Sequence, residues 1–375
     1  MLVPFLDLRR EVVLCRTELD QAIARVLDRG RFILGPELDS LEAEFAGYLK
    51  VPFSVGVGSG TDALTLALEG LGAITRGAGH EVLTSAFSAA FTPLAIIRAG
   101  AIPRFVDIDP ETLQIDPVLA ESCINERTRA IVPVHLYGNP CNISAIMELA
   151  RKHGLPVIED ACQAHGSRWN GRMLGTFGNA SAFSFYPTKN MGALGDGGIV
   201  ATSDGELAAR IRRLRHGGQS RTYVHEDLGC NSRLDELQAA VLRIKLARLD
   251  ERNRIRCEIA GRYDEAFAGL DLKRVKINSG AEPNRHIYPV RSRRREEMRR
   301  FLLDCNIETL VHYPAALPCQ PALKPFASSG SRFPAAENAA EEIFSLPVYP
   351  ELRTEEIDYL IETVRRFFDG SYGCH

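Results

Sequence analysis

The sequence predicts an α/β protein: a large domain built on a mostly parallel central sheet, then a smaller α+β domain at the C-terminal end. Three observations carry this. Between about Val55 and Val200, short apolar runs alternate with helical patterns, as βα units around a parallel sheet do. After Asn231 the texture changes to a long charged helical pattern. The length of 375 residues also exceeds the size at which one hydrophobic core usually stops growing. The expected division places residues 1–250, with the N-terminal segment, in the large domain and 251–375 in the small one.

The predicted strands are Phe53 to Val57, Glu81 to Ser85, Pro103 to Asp107, Ala130 to His135, Pro156 to Asp160 and Ser181 to Phe185. Helical patterns at Asp62 to Leu71, Phe91 to Ala99 and Ile143 to His153 lie between them, each followed by a glycine where a helix would stop. From Leu234 to Phe267 apolar residues recur at helical spacing (Leu237, Val241, Ile244), which predicts one long bridging helix. Beyond it come a strand at His286 to Val290, a helix from Arg294 to Asp304 and a closing helix from Thr354 to Phe368. There is no internal repeat and no low-complexity linker.

Composition excludes several classes. Hydrophobic residues at 45% and charged residues at 25% are those of an ordinary folded chain. A formal charge of −3 leaves no footprint for nucleic acid or an anionic membrane. The arginines at 291–295 and 210–215 are offset by Glu296 and Glu297 and by Asp204 and Glu206, so they are read as solvated helix faces. The start, MLVPFLDLRREVVL, meets charge too early for a signal peptide, and no apolar run approaches a bilayer span. A cytoplasmic protein is expected. The nine cysteines show no zinc-type spacing, which predicts reduced thiols and no metal site.

Three segments carry chemistry. Residues 54–64, Ser-Val-Gly-Val-Gly-Ser-Gly-Thr-Asp-Ala-Leu, form a strand, a glycine-rich turn and a helix start, which aims backbone N–H groups at one spot suited to phosphate. Alone, this segment equally fits a dinucleotide fingerprint or a helix capped by Thr61 or Asp62 with no ligand. In 155–166 Asp160 stands at the carboxyl end of a buried strand, where a carboxylate needs a partner: a cation, a helix cap or a cationic cofactor. In 182–198 Lys189 leaves a strand among Phe183, Phe185, Tyr186 and Met191, and Gly192, Gly195, Gly197 and Gly198 rule out a regular helix after it. Burial there would lower the amine's pKa and favour the neutral nucleophile. A phosphate cradle, an aspartate at a strand end and a nucleophilic lysine are together what pyridoxal 5'-phosphate requires.

These motifs, with Gly-Cys-Asn-Ser-Arg-Leu-Asp-Glu-Leu-Gln-Ala-Ala at 229–240, resemble the DegT/StrS family of sugar aminotransferases. The similarity runs in order from Pro4-Phe5-Leu6-Asp7-Leu8 to Leu346-Pro347-Val348-Tyr349-Pro350. The resemblance implies the aspartate-aminotransferase fold, fold type I of the pyridoxal-phosphate-dependent transferases. It makes Lys189 the Schiff-base lysine, sets Asp160 beneath the pyridine nitrogen and puts Gln163 near the ring hydroxyl. Gly60, Thr61, Asp62 and Ser184 would hold the phosphate and Phe87 would stack on the ring. Asn231 would reach the phosphate of the neighbouring subunit in a homodimer with shared sites. Tyr186, His312 and Tyr313 would touch substrate, although interdomain packing accounts equally well for the last two.

The resemblance further implies transfer of an amino group, with glutamate as donor, to a keto sugar carried on a nucleotide. Lys189-Asn-x-Gly-Ala-Leu-Gly-Asp is closer to the branch acting on 3-keto sugars than to the 4-keto branch. Two departures fall on the acceptor side. Ala316 and Pro318 replace the second proline and the histidine of His-Tyr-Pro-x-Pro-x-His, and Arg215-His216-Gly217-Gly218-Gln219 stands where Arg-Asn-His-Gly-Gln is usual. An acceptor such as an inosose, and a cofactor-binding regulator without turnover, remain open. A dehydratase of the same family would carry histidine in place of Lys189. A nicotinamide dehydrogenase would leave Asp160 and Lys189 unexplained.

Overall fold

A computed structural model describes residues 1–327 and 330–370. Its main sheet contains β1 (Phe53–Val57), β2 (Glu81–Ser85), β3 (Ile102–Val106), β4 (Thr128–Val132), β5 (Ile158–Asp160), β8 (Ala180–Ser184) and β9 (Gly198–Thr202). Between β5 and β8 lies a short hairpin, β6 (Arg168–Trp169) and β7 (Arg172–Met173). Two ladders, β1-β9-β8-β5 and β3-β2-β4, meet where parallel bridges join Ile131 to Val157 and Val134 to Asp160. β9 runs antiparallel to both its neighbours and every other pairing is parallel. The predicted mostly parallel sheet is therefore present, with β9 as an added strand.

Alternation along these strands separates the two apolar faces of the sheet. Val82, Ala130, Val132, Ile158, Ala182 and Val200 pack with α3 (Gly60–Leu71), α4 (Phe91–Arg98) and α7 (Gly205–Leu214). Leu83, Ile131, Val157, Phe183 and Ile199 face the opposite way, toward α2 (Pro36–Leu49), α6 (Ile143–His153) and α8 (Glu236–Leu246). Helices on both faces explain why these strands read as continuous apolar runs. Short α5 (Pro117–Cys123) follows β3, and a hairpin of β10 (Gln219–Arg221) and β11 (Val224–His225) follows α7.

The expected single bridging helix is two: α8 ends at Leu246 and α9 (Leu249–Ala266) starts after a break at Ala247 and Arg248. Apolar spacing continues across the break with neither glycine nor proline to mark it. A second core gathers Ile259, Tyr263, Val290, Phe301, Phe344, Leu360 and Phe367, and it includes Val3. Its sheet is β12 (Lys273–Arg274), β14 (Tyr288–Arg291) and β15 (Ile343–Leu346), while β13 (Ala281–Glu282) pairs with β6. Helices α10 (Arg295–Asp304) and α12 (Thr354–Phe368) complete it, while α11 (Pro334–Glu342) packs with Phe105, Leu317 and Phe333 in a separate cluster. We propose that the division at residue 250 separates two folding units on this basis. Seven cysteines are free thiols, but Cys305 is disulfide-bonded, which departs from the fully reduced set expected, and Cys374 lies outside the described residues.

The N-terminal segment is pinned to the second core. Helix α1 (Leu8–Arg29) carries Arg10, whose guanidinium donates to both carboxylate oxygens of Glu356 at 2.7 and 2.8 Å. Burial alone would raise the Glu356 pKa, but Arg10 and Arg353 prevail and lower it to about 2. A carboxylate depressed on folding contributes stability above its unfolded pKa, near 4.5, and that contribution is lost as pH falls toward the folded value. Glu356→Gln should thus lower the urea midpoint most above pH 4.5, and its deficit relative to the parent should shrink as pH falls toward 2. A deficit independent of pH would refute the ion pair as its source.

Candidate active site

The carboxyl ends of the parallel strands bring the predicted residues to one edge of the sheet, as open α/β sheets do. There they line a cavity of about 850 Å³. Gly60, Thr61, Asp160, Gln163, Ser184, Tyr186, Lys189, His312 and Tyr313 are all on its wall.

The turn after β1 builds the cradle. Ser59, not Thr61 or Asp62, is the N-cap of α3, its Oγ accepting from the Asp62 N–H at 3.1 Å. A helix start leaves its first N–H groups without intrahelical acceptors, so with Asp62 capped, those of Gly60 and Thr61 are the ones left for a ligand. A Cβ on Gly60 would stand 2.6 Å from Ser184 Cβ and 2.9 Å from Cys162 Sγ, so the cradle closes against β8 and the end of β5. The Asp62 carboxylate is already committed, to Arg98 at 2.8 Å and to the Ser232 hydroxyl at 2.8 Å. It therefore supports the cradle from behind instead of meeting an anion.

Asp160 ends β5 and is buried. Its Oδ2 accepts from the Thr92 hydroxyl at 2.6 Å and its Oδ1 from the Cys162 N–H at 3.2 Å. Two donors fix the orientation of the carboxylate. Sequence reasoning missed Thr92 because nothing at that position marks a helix residue that reaches across to the next strands.

Lys189 lies in the return between β8 and β9, whose path is held by Phe185 N–H to Gly197 O at 2.8 Å and Ala193 N–H to Phe185 O at 2.7 Å. A Cβ on Gly192 would lie 2.2 Å from Pro187 O, so only glycine fits there. Burial lowers the Lys189 pKa against the opposing pull of Cys162 and Asp160. Among the described residues its ammonium has no salt-bridge partner. This is the masked, uncommitted amine that a nucleophile requires.

On the remaining wall, Gln163 accepts from the Tyr137 N–H at 2.6 Å and donates to the Tyr313 hydroxyl at 3.1 Å. Tyr137 holds a left-handed φ of 64° and passes its own hydroxyl to His312 O at 2.5 Å. Next to it Gly138 also has positive φ, and a Cβ there would fall 1.7 Å from Asn284 Oδ1. Burial, then the charge of Lys189, lowers His312 to about 4, and its Nδ1 lies 3.0 Å from Ser345 Oγ. Burial raises Tyr313 to about 12. His312 and Tyr313 thus belong to the cavity and also tie it to the second core.

Two sequence-predicted residues, Phe87 and Asn231, lie off the cavity wall of this chain. Phe87 has no exposed surface and packs with Phe105, Tyr137 and Ala336, edge-on to Tyr313, so it offers no face to the cavity. Ser88, Ala89 and Phe91 form the wall instead. Asn231 is exposed, bridged to His216, and is not on the cavity wall of its own chain. The structure adds Phe5 and Leu6 from the N-terminal segment and Arg256, His286 and Val348 from the C-terminal third. Among the described residues no group of three or more His, Cys, Asp or Glu side chains could hold a metal, and no helix is long and apolar enough to cross a membrane.

Comparison with known proteins gives the same direction. The sequence model of the DegT/DnrJ/EryC1/StrS aminotransferase family matches residues 14–365. A dTDP-3-amino-3,4,6-trideoxy-alpha-D-glucose transaminase of Streptomyces venezuelae is 46% identical over 97% of this chain and 96% of its own. A UDP-N-acetyl-3-dehydro-alpha-D-glucosamine 3-aminotransferase of Acidithiobacillus ferrooxidans is 42% identical over 98% of each. The crystal structure of S. venezuelae DesV in complex with a ketimine intermediate superposes with a TM-score of 0.95 at 46% identity, covering 98% of both chains. With a cradle, a buried carboxylate and a masked amine on one wall, and matches over nearly the whole length, the chain is a pyridoxal-phosphate-dependent aminotransferase belonging to the DegT/DnrJ/EryC1/StrS family.

Proposed function

We propose that the enzyme moves an amino group from glutamate to the 3-keto group of a nucleotide-linked sugar. The observation that carries this reading is that one continuous cavity of about 850 Å³ is lined by Lys189 and Asp160 together with Phe5, Arg98 and His312. The names of the two relatives, both acting at carbon 3 of a nucleotide sugar, support the acceptor.

The residues present fit pyridoxal 5'-phosphate. The N–H groups of Gly60 and Thr61 with the Ser184 hydroxyl would take its phosphate, Asp160 its ring nitrogen and Gln163 its ring hydroxyl. When bound, the cofactor supplies an electron sink for the substrate carbon that loses its proton. Lys189 would hold the cofactor covalently and, as the amine in the cavity beside the reacting carbon, would serve as the base and acid that moves that proton. Burial lowers its pKa and so shifts it toward the neutral amine that this task uses. Asp160, oriented by the Thr92 hydroxyl, would face the ring nitrogen and favour its protonated form. Tyr186, half exposed at the rim, and the His312–Tyr313 pair would orient the sugar.

Assay of purified holoenzyme against 3-keto and 4-keto sugar nucleotides and inososes, with glutamate or glutamine as donor, tests the reading. Turnover confined to inososes, or none with any acceptor, would overturn it.

Thr92 is a positioning residue in this scheme. Thr92→Val should cut kcat about tenfold, the worth of one hydrogen bond to a charged group, and lower the pH at which the bound cofactor's ring nitrogen loses its proton. Thr92→Ser should restore both. An unchanged titration in the valine variant would remove the role.

We further propose that the active species is a homodimer in which Asn231 reaches the partner's phosphate site. Exposed Val13, Leu14, Phe32 and Phe91 supply apolar surface for such contact. Lys189→Ala and Asn231→Ala should each be impaired alone, and co-refolding should regain activity because one mixed site is complete. Heterodimers as inactive as their parents would refute the shared site.

A further inference from the structure

A second cavity, of about 790 Å³, shares no lining residue with the first. It is formed where α9, β12 and the strand β14 meet the turn after β3, and its wall carries Lys273, Arg274, Lys276, Arg285 and Arg291. Only two carboxylates, Glu111 and Asp264, line it.

The internal pairing does not use up this charge. Asp264 alone serves Arg285 at 3.1 Å and Arg274 at 3.6 Å, and it also accepts from the Tyr288 hydroxyl at 2.8 Å. Arg291 is held by Glu342 at 2.9 Å, from outside the lining, and Lys276 by Glu111 at 2.7 Å. Among the described residues Lys273 has no carboxylate partner. Counting Glu342, the five cations face three carboxylates. Lys273 is moreover the ladder partner of Arg291 across β12 and β14. Like charges directly opposite in a sheet are destabilising, and an anion between them would remove that cost. Arg285 adds a strained element: it holds φ of 51°, uncommon for a residue with a side chain, while its guanidinium stays at the cavity wall.

Guanidinium forks match phosphate oxygens in pairs, and the volume is that of a site for a small organic molecule. We propose that this cavity binds a diphosphate-bearing small molecule at a second site, separate from the transamination cavity. The linkage between the two is covalent and short. Arg285 faces the second cavity, and the next residues, His286 and Ile287, line the first.

Calorimetric titration of cofactor-saturated enzyme with inorganic pyrophosphate and, separately, with uridine 5'-diphosphate tests the proposal. The parent should show a saturable binding event that weakens with added NaCl. The exposed pair Lys273→Glu with Arg274→Glu should lose that event or weaken it at least tenfold, with an unchanged circular dichroism spectrum and unchanged cofactor content. Lys273→Gln alone, which leaves the Asp264 pairs intact, should weaken it several-fold and serves if the double variant does not fold. Tighter binding of the nucleoside diphosphate that is lost in the Lys273 and Arg274 variants would make the ligand a nucleotide, tighter binding that the variants keep belongs to the transamination cavity and counts against the second site, and equal, variant-sensitive binding would make it free diphosphate. No saturable binding, or binding undiminished in the variants, would overturn the second site.

Discussion

Lys189→Ala should abolish amino transfer, by at least about three decades, and should leave no cofactor that borohydride can fix to the chain. The reasoning is specific to the position. Among the described residues no other lysine stands in the cavity with Asp160 and the Gly60–Thr61 cradle, so no neighbouring amine can substitute. A group that acts first as nucleophile and then as proton carrier removes two contributions when deleted, and about 1.4 kcal/mol of barrier corresponds to each decade of rate. The same change should not lower the thermal midpoint of the cofactor-free protein. Lys189 carries a desolvation penalty, visible in its lowered pKa, and no ion pair among the described residues offsets it. Labelling of a different lysine by borohydride and peptide mapping would sink the assignment.

Asp160→Asn should lower turnover by two to three decades while the fold survives. Asparagine keeps the size of the side chain and can still accept from the Thr92 hydroxyl, which now stands 2.6 Å from Oδ2. It removes the negative charge. A charge pair about 4 Å apart has a gross attraction of roughly 4 kcal/mol at an effective dielectric of 20, and losing part of it lets the ring nitrogen shed its proton. Steady-state transamination should fall while cofactor content, read by absorbance, stays near that of the parent. Near-normal turnover would show that the nitrogen's protonation is held by something else.

Much of this was legible before any coordinates. Phe53–Val57, Glu81–Ser85, Ile143–His153 and Thr354–Phe368 have the boundaries expected, because each is an apolar or amphipathic run and three of the four are closed by Gly58, Gly154 or Gly370. β9 was hidden by its start at Gly197-Gly198, which reads as a turn. Yet a Cβ on Gly198 would come within 2.4 Å of the Ser59 backbone, so the glycine is there for close approach within a strand. Helices α1 and α2 lie before the alternating region from which the fold was read.

Gly60, Thr61, Asp160, Gln163, Ser184 and Lys189, named from local motifs, share one cavity wall, because each motif sits at the carboxyl end of a strand of the same sheet or in the turn that follows it. Phe87 lies off the cavity wall, its ring buried in packing, because a motif gives the order of residues but not which side of the chain faces the cavity. Thr92, Phe5 and His286 depend on contacts between distant segments, for which a single sequence has no local signature.

The lining of the first cavity by Phe5 and Leu6 at one end of the chain and Val348 near the other has a consequence for biosynthesis. During translation the phosphate cradle, Asp160 and Lys189 leave the ribosome well before Val348, the Arg10–Glu356 clasp that anchors the N-terminal segment and the strand Ile343–Leu346 that completes the second sheet. A nascent chain therefore displays an amine and a phosphate cradle on an unfinished, solvent-open wall. The wall stays open until those segments follow, so a polypeptide stopped before Ile343 would carry the glycine-rich turn, Asp160 and Lys189 and no closed chamber.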